Sequence, residues 1–381
     1  MTLRTPANAA RNHLADFAKV GLSSTTQTDH PLEPTDPTQP PVGWGVVGPG
    51  VIAHRVVPDI AMLSDAHLVA VSSRDHQRAQ EFAQRHGFVR WYADGSLGSS
   101  QGVSTSSGSL TGVEALATDP EVDVVYVASP HGYHHDHVSH LLRAGKHVVC
   151  EKALATTEAE VRDLVNLAAA HGVLLMEAVW TAMTPGFRRA MQLVDHGVIG
   201  TVHSVTGAIG FHATPDPEHR LFSPADGGGA TLDMLVYPLL WSDALQGEIH
   251  AINVIGSVGP TGVDDDVAIQ VKREHGWAQL SATLRRVPAT GVTLSGTEGW
   301  LRVDGRLHNP PQLEWTNTQR QADGMDPVVE TISTIGAGYV PQMREATRCI
   351  RHGLAESPYV PWALSLSRAR LFDTIRSEIG L

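Results

Sequence analysis

The sequence predicts two domains: an α/β domain built on a parallel sheet, then an α+β domain with a large, mostly antiparallel open sheet. Three observations predict this. Apolar strands alternate with helical patterns from Trp44 to about residue 177. A glycine-rich turn, Gly48-Pro49-Gly50, joins the first strand to the first helix. Beyond residue 178, strand-like runs follow one another across short turns, the pattern of an antiparallel sheet. The chain has 381 residues, enough for two domains.

The elements follow in order. Residues 1–41 are rich in Thr, Pro and Asp after a short helical pattern near Arg11–Val20, and are expected to form a flexible arm. The first domain spans 42–177. WGVVGPG is a strand running into a tight turn, and a helix is expected over Val51–Met62. LVAVSS (68–73) is the second strand. The next helix is expected to have Asp75 as N-cap and Gly87 just past its end. FVRWY supplies a short strand. The Gly/Ser/Thr stretch 94–112 predicts an exposed loop inserted in the domain. VDVVYVAS, HVVCEK and VLLMEAV are further strands, separated by helical patterns near 134–144 and 157–171. In the second domain (178–381), a helix over Pro185–His196 precedes seven strand-like runs between 201 and 317. Two helices, near 339–352 and 363–379, close the chain.

Gly48-Pro49-Gly50-Val51-Ile52-Ala53 fits G-x-G-x-x-A between a strand and a helix, the context that gives this motif its meaning. The first glycine permits the tight turn and the second lets the backbone approach a pyrophosphate. The small residue allows close helix–strand packing, and the helix N-terminus faces the negative charge. This is a Rossmann dinucleotide-binding arrangement. The second strand ends in Ser72-Ser73-Arg74 where NAD enzymes usually carry an acid. Hydroxyls and a guanidinium suit a 2′-phosphate, so NADP is expected over NAD. Asp75, which could serve as the acid, is expected to cap the next helix.

These motifs resemble, in order, those of the glucose-fructose oxidoreductase / inositol dehydrogenase / rhizopine catabolism family. GPGVIA, SSRD, ASPHGYHHDH, AGKHVVCEKA, MEAVW and GGGATLDMLVY carry the likeness across about residues 43–381. Within the family, MEAVW and the HR…GGG…D…Y stretch most resemble the branch of trans-dihydrodiol dehydrogenases and NADP-linked aldose dehydrogenases. The resemblance implies an oxidoreductase moving hydride between NADP and a CH–OH group of a sugar, cyclic polyol or trans-dihydrodiol. It also implies at least a homodimer. The alternative on the same fold is a regulatory protein that binds dinucleotide without catalysis.

The resemblance assigns residues. Glu151-Lys152-Ala153 stands where the family has Glu-Lys-Pro, making Lys152 the catalytic lysine and Glu151 a cofactor neighbour. The family proline often follows a cis bond. Ala153 disfavours one, so the bond is either trans or held cis by local packing. Ser129, Pro130, His131 and His134 fall in the loop near the nicotinamide, with His131 in place of an asparagine. Asp233 and Tyr237 match the family's D-x-G-x-(H/Y) segment, with Leu235 replacing glycine. They share a face if the segment is helical. Tyr237 is the implied acid/base. Alcohol oxidation needs a base, and a free phenol, with a pKa of about 10, is a poor one at neutral pH. A nearby ammonium favours the phenolate, which makes chemical sense of a Lys152–Tyr237 pair. Trp180 matches a pocket tryptophan of the same branch, although Ala182 stands where that branch usually has arginine. Arg220 is a candidate for substrate hydroxyls.

Composition excludes several classes. Net charge is -12, which argues against nucleic-acid or membrane-surface partners. Two cysteines, Cys150 and Cys349, support no disulfide framework, and a cytoplasmic setting is expected. His131, His134, His135, His137 and His140 cluster, but no acid or cysteine pattern completes a metal site, and none is expected. Asp264-Asp265-Asp266 lacks the spaced acids of a calcium loop and is expected to be a solvated strand end.

Overall fold

The structure is a computed structural model that describes residues 38–99, 104–105 and 110–381. The expected arm over 1–41 falls almost entirely outside the described residues. Two compact units emerge. One holds the described residues up to Ala178 together with Ile335–Ser357, and the other holds Val179–Thr334 and Pro358–Leu381.

The first unit is a parallel sheet with helices. Its elements are β1 (Val42–Val47), α1 (Val51–Ala61), β2 (Ala66–Ser73), α2 (His76–His86), β3 (Arg90–Ala93), β4 (Ser96–Ser99), β5 (Ser104–Thr105), α3 (Gly112–Ala117), β6 (Val124–Val127), α4 (His134–Arg143), β7 (His147–Cys150), α5 (Glu158–His171) and β8 (Leu175–Glu177). The strand order is β5-β4-β3-β2-β1-β6-β7-β8. Without the β4–β5 pair this is the doubly wound 3-2-1-4-5-6 order, whose carboxyl ends form a ligand crevice where the order reverses, between β1 and β6. Every residue of β1 and β6 is buried, as expected for central strands covered on both faces.

The inserted stretch 94–112 departs from expectation. Rather than a loop throughout, its described residues include β4, antiparallel to β3, and β5, antiparallel to β4. A ladder needs only main-chain groups, so poor side-chain content does not prevent pairing. Gly98 is required where it stands: a Cβ there would lie 2.0 Å from the Trp91 ring.

The helix Val340–Arg351 lies beyond the division expected at residue 178, yet it packs with this first unit. Buried charges hold it. Asp59, inside α1, accepts the main-chain N–H groups of Ala337 and Tyr339 at 2.9 and 2.7 Å. Asp65 pairs with Arg344 and Arg351. Such long-range partners leave no periodic trace in sequence.

The second unit begins with α6 (Pro185–Asp195) and β9 (Val202–Gly210), followed by α7 (Val236–Gln246). Then come β10 (Ile249–Val258), β11 (Asp264–Arg273), β12 (Gly276–Thr283), β13 (Gly291–Gly296), β14 (Gly299–Asp304), β15 (Gln312–Asn317) and β16 (Val328–Thr331). The sheet order is β10-β11-β12-β9-β13-β14-β15-β16, antiparallel except that β12 pairs β9 in parallel. Helix α7 packs on β9 and β12. The last helix, Trp362–Glu378, sends Arg368 to buried Asp243 of α7, which also binds Arg273 of β11. Strand β10 leaves much of its length open, with Ile255 79% exposed. Among the described residues, no helix is long and apolar enough to cross a membrane.

Candidate functional site

In the first unit the candidates gather at the carboxyl ends of β1, β2, β6 and β7. Gly48 has φ +87°, and a Cβ there would lie 2.9 Å from the Ser129 main-chain nitrogen. Only glycine fits that crossing. A Cβ on Gly50 would meet nothing within 4 Å, so space stands open above it at the start of α1. No side chain caps that helix, and Ala53 is fully buried against the sheet. Pro49, Val51 and Ile52 complete the bend. An uncapped helix N-terminus under open space suits an anion, and these residues fit a dinucleotide's pyrophosphate.

At the end of β2, Ser73 Oγ accepts the Asp75 N–H at 3.2 Å, and Asp75 Oδ1 accepts the Arg78 N–H at 2.7 Å. Asp75 therefore caps α2 as expected, and Gly87 closes that helix with φ +79°. Arg74 is the exposed cation beside them.

The loop after β6 and the loop after β7 are tied together. His131 Nε2 lies 2.9 Å from the Lys152 carbonyl. His134 Nδ1 lies 2.9 Å from the Ala153 carbonyl, and its Nε2 lies 2.7 Å from that of Ser129. Burial holds the His134 pKa down at about 3, so the ring is neutral and donates to one of the two. Leu154 N–H donates to Glu177 Oε1 at 3.1 Å, and the Tyr126 hydroxyl donates to Glu151 Oε1 at 2.5 Å. Burial, then the Glu151 charge, raises the Tyr126 pKa and keeps the phenol protonated. Lys152 is thus carried on a segment whose neighbours are fixed at both ends. The Lys152–Ala153 peptide bond is cis, the second of the two alternatives open from sequence. The hydrogen bonds of buried His134 go to main chain, and its ring meets that of His131 edge-on with centroids 5.5 Å apart.

In the second unit the candidates converge around α7. Thr231–Leu235 form a π-turn leading into the helix, a feature that recurs at functional sites. Asp233 and Tyr237 therefore reach the helix start through wider winding than the α-spacing expected. Asp233 accepts Arg220 Nη1 at 3.0 Å, so two candidates meet as an ion pair. Leu235 is fully buried. Gly229 has φ +114°, and a Cβ there would sit 2.1 Å from Asp264 Oδ1. The triple glycine thus lets Asp264 reach in and accept both the N–H and the hydroxyl of Thr231 at 2.7 Å. This corrects the expectation of a solvated strand end. Asp264 is buried because the π-turn needs an acceptor at its start, and Asp265, also buried, accepts the Ser257 hydroxyl at 2.7 Å. Burial raises the Asp264 pKa.

Trp180 is buried and its ring lies 5.6 Å from that of His308; the Tyr237 ring lies 5.3 Å from the same imidazole. Thr181 Oγ1 donates to the His308 carbonyl at 2.8 Å, and Trp241 Nε1 donates to the Leu307 carbonyl at 3.2 Å. Sequence reasoning missed His308. It stands alone between β14 and β15 with no motif around it, and only folding brings it to Trp180 and Tyr237. Glu177 and Tyr126 were missed too, because each sits inside an apolar strand pattern that masks a polar task.

Comparison with known proteins now bears on this arrangement. Residues 42–179 match a model described as "Oxidoreductase family, NAD-binding Rossmann fold", and residues 187–302 match the GFO/IDH/MocA C-terminal domain. The D-xylose 1-dehydrogenase (NADP(+)) of Hypocrea jecorina is 32% identical, covering 85% of this chain and 88% of its own. The trans-1,2-dihydrobenzene-1,2-diol dehydrogenase of Macaca fascicularis is 31% identical, covering 89% and 97%. In fold, the chain is similar to an aldose-aldose oxidoreductase from Caulobacter crescentus, with TM-score 0.75 and 22% identity over 89% of this chain and 97% of that one. With its Rossmann unit and its mostly antiparallel sheet unit, this chain belongs to the GFO/IDH/MocA family of oxidoreductases.

Proposed function

We propose that the chain is an NADP-dependent dehydrogenase that oxidises a CH–OH group of an aldose, cyclic polyol or trans-dihydrodiol, or runs the reverse reduction. The observation that carries this reading is the fixed Lys152 segment, held by His131, His134 and Glu177 at the carboxyl end of β7. Immobilising the main chain around a lysine reduces the ordering cost of presenting its ammonium to a substrate. The names of the similar dehydrogenases support the substrate class.

The nucleotide, when bound, supplies the nicotinamide that takes or gives hydride. The bend Gly48–Ile52 would hold its pyrophosphate and Ser73 with Arg74 its 2′-phosphate; Ser129, Pro130, His131 and Glu151 would line the nicotinamide side. Lys152 binds the reacting hydroxyl oxygen and favours its ionised form. Tyr237 takes the hydroxyl proton in oxidation and returns it in reduction. Asp233 and Arg220, joined as a pair, orient neighbouring hydroxyls. The indole of Trp180 gives an apolar ring face on which a cyclic substrate packs. We further propose a cytoplasmic protein that forms at least a dimer through its open sheet.

The test is a screen of aldoses, inositols and trans-dihydrodiols with NADP and NAD, read as absorbance of the reduced nicotinamide. The expected result is turnover of one class with NADP preferred. Tight nucleotide binding with no turnover across all three would replace this reading by the regulatory one.

A further inference from the structure

Arg74 is the residue on which the NADP reading rests, and the structure does not leave it as a loose surface side chain. Its Nη1 donates to the Tyr133 hydroxyl at 3.3 Å, and its guanidinium carbon lies 5.0 Å from the centre of the Tyr133 ring. Tyr133 belongs to the turn after β6, 59 residues away in sequence. It is itself supported: its ring stacks on His137 with centroids 5.9 Å apart and planes 20° from parallel. His137 Nδ1 in turn lies 3.0 Å from Ser129 Oγ. A column therefore runs from the β6 loop through His137 and Tyr133 to the guanidinium. Burial holds His137 down at about 4, so its ring is uncharged near neutral pH and does not repel Arg74 through the column.

We propose that Tyr133 is a positioning residue that selects NADP over NAD, by holding Arg74 where its guanidinium meets the 2′-phosphate of the adenosine ribose. The inference rests on the NADP reading above. A guanidinium carries its N–H groups in a rigid planar fork. With Nη1 engaged by the phenol oxygen, Nε and Nη2 still present an edge that matches two phosphate oxygens. The aromatic face attracts the cation and restricts its rotamers before ligand arrives. NAD has no 2′-phosphate and draws no benefit from that order. Tyr133 should therefore matter for one nucleotide and not for the other.

The test uses the full chain and titrates NADP, NAD and 2′,5′-ADP by calorimetry or fluorescence, so that it needs no turnover. Arg74→Ala is expected to abolish most of the NADP preference. Tyr133→Ala is expected to weaken NADP and 2′,5′-ADP by about fivefold to tenfold, with NAD changed less than about twofold. Tyr133→Phe keeps the ring and the fold and loses only the acceptor, and an intermediate loss is expected. In the Arg74→Ala background, Tyr133→Ala should add nothing. Equal weakening of NADP and NAD in both Tyr133 variants, or full additivity with Arg74→Ala, would overturn the proposal while leaving the NADP reading standing. An unchanged NADP preference in Arg74→Ala would remove Arg74 from the 2′-phosphate and this proposal with it, and an unaltered chain without NADP preference would remove the NADP reading itself.

Discussion

At the scale of single residues, the chemistry proposed for the second unit rests on Tyr237. The phenol sits against His308, the ring that also meets Trp180, and His308 is fixed through its carbonyl by Thr181. A phenylalanine keeps this ring contact, so the replacement tests chemistry more than packing. Tyr237→Phe is expected to lower kcat by about 10²- to 10⁴-fold, the usual worth of a general acid/base. The dissociation constant for NADP should stay within about twofold, since the phenol hydroxyl is assigned to substrate, not to nucleotide. Stopped-flow or steady-state kinetics beside a nucleotide titration would check both halves. Retained kcat would remove Tyr237 from the acid/base role. Sequence made Tyr237, Asp233 and Lys152 legible as candidates because their motifs are local. It could not reveal His308, whose ring contacts cross about 70 residues of chain to Tyr237.

At the scale of elements, the strand–turn–helix of β1 and α1 is the part whose sequence and structure agree most closely. Gly48 is demanded by its positive φ and by the Ser129 main chain beside it, whereas Gly50 has open space. The two glycines therefore fail differently. Gly50→Val should fold normally, because its side chain enters a void, and should weaken NADP at least roughly tenfold by filling the space a pyrophosphate needs. Differential scanning calorimetry together with a nucleotide titration would check this; normal affinity in the folded variant would place the pyrophosphate elsewhere. The π-turn Thr231–Leu235 shows the opposite case. Its Asp-x-x-x-Tyr spacing is legible, but its winding depends on Asp264, an acid that sequence alone placed in solvent. The acid run looked solvated because charge runs usually are; here the missing Cβ of Gly229 opens the way inward.

At the scale of the whole molecule, each unit is closed by buried charges that link distant segments. In the second unit Asp243 of α7 binds Arg273 of β11 and Arg368 of the last helix, all three nearly devoid of solvent contact. Removing one partner strands the others' charges in a poor dielectric. Asp243→Ala is expected to destabilise the chain by about 3–5 kcal/mol, measurable as a lower urea midpoint; a change under about 1 kcal/mol would show that water compensates the arginines. The first unit uses Asp59 and Asp65 in the same way to recruit the helix Val340–Arg351. By itself the sequence determined the alternation of strands and helices, the nucleotide bend, the cap at Asp75 and the motif residues, because each depends on neighbours within a few positions. Only the tertiary structure decided which unit owns residues 335–357, where β4 and β5 join the sheet, how Lys152 is held and what stands beside Arg74 and Tyr237. Those outcomes depend on buried hydrogen bonds and ring contacts between segments far apart in the chain, which no local period encodes.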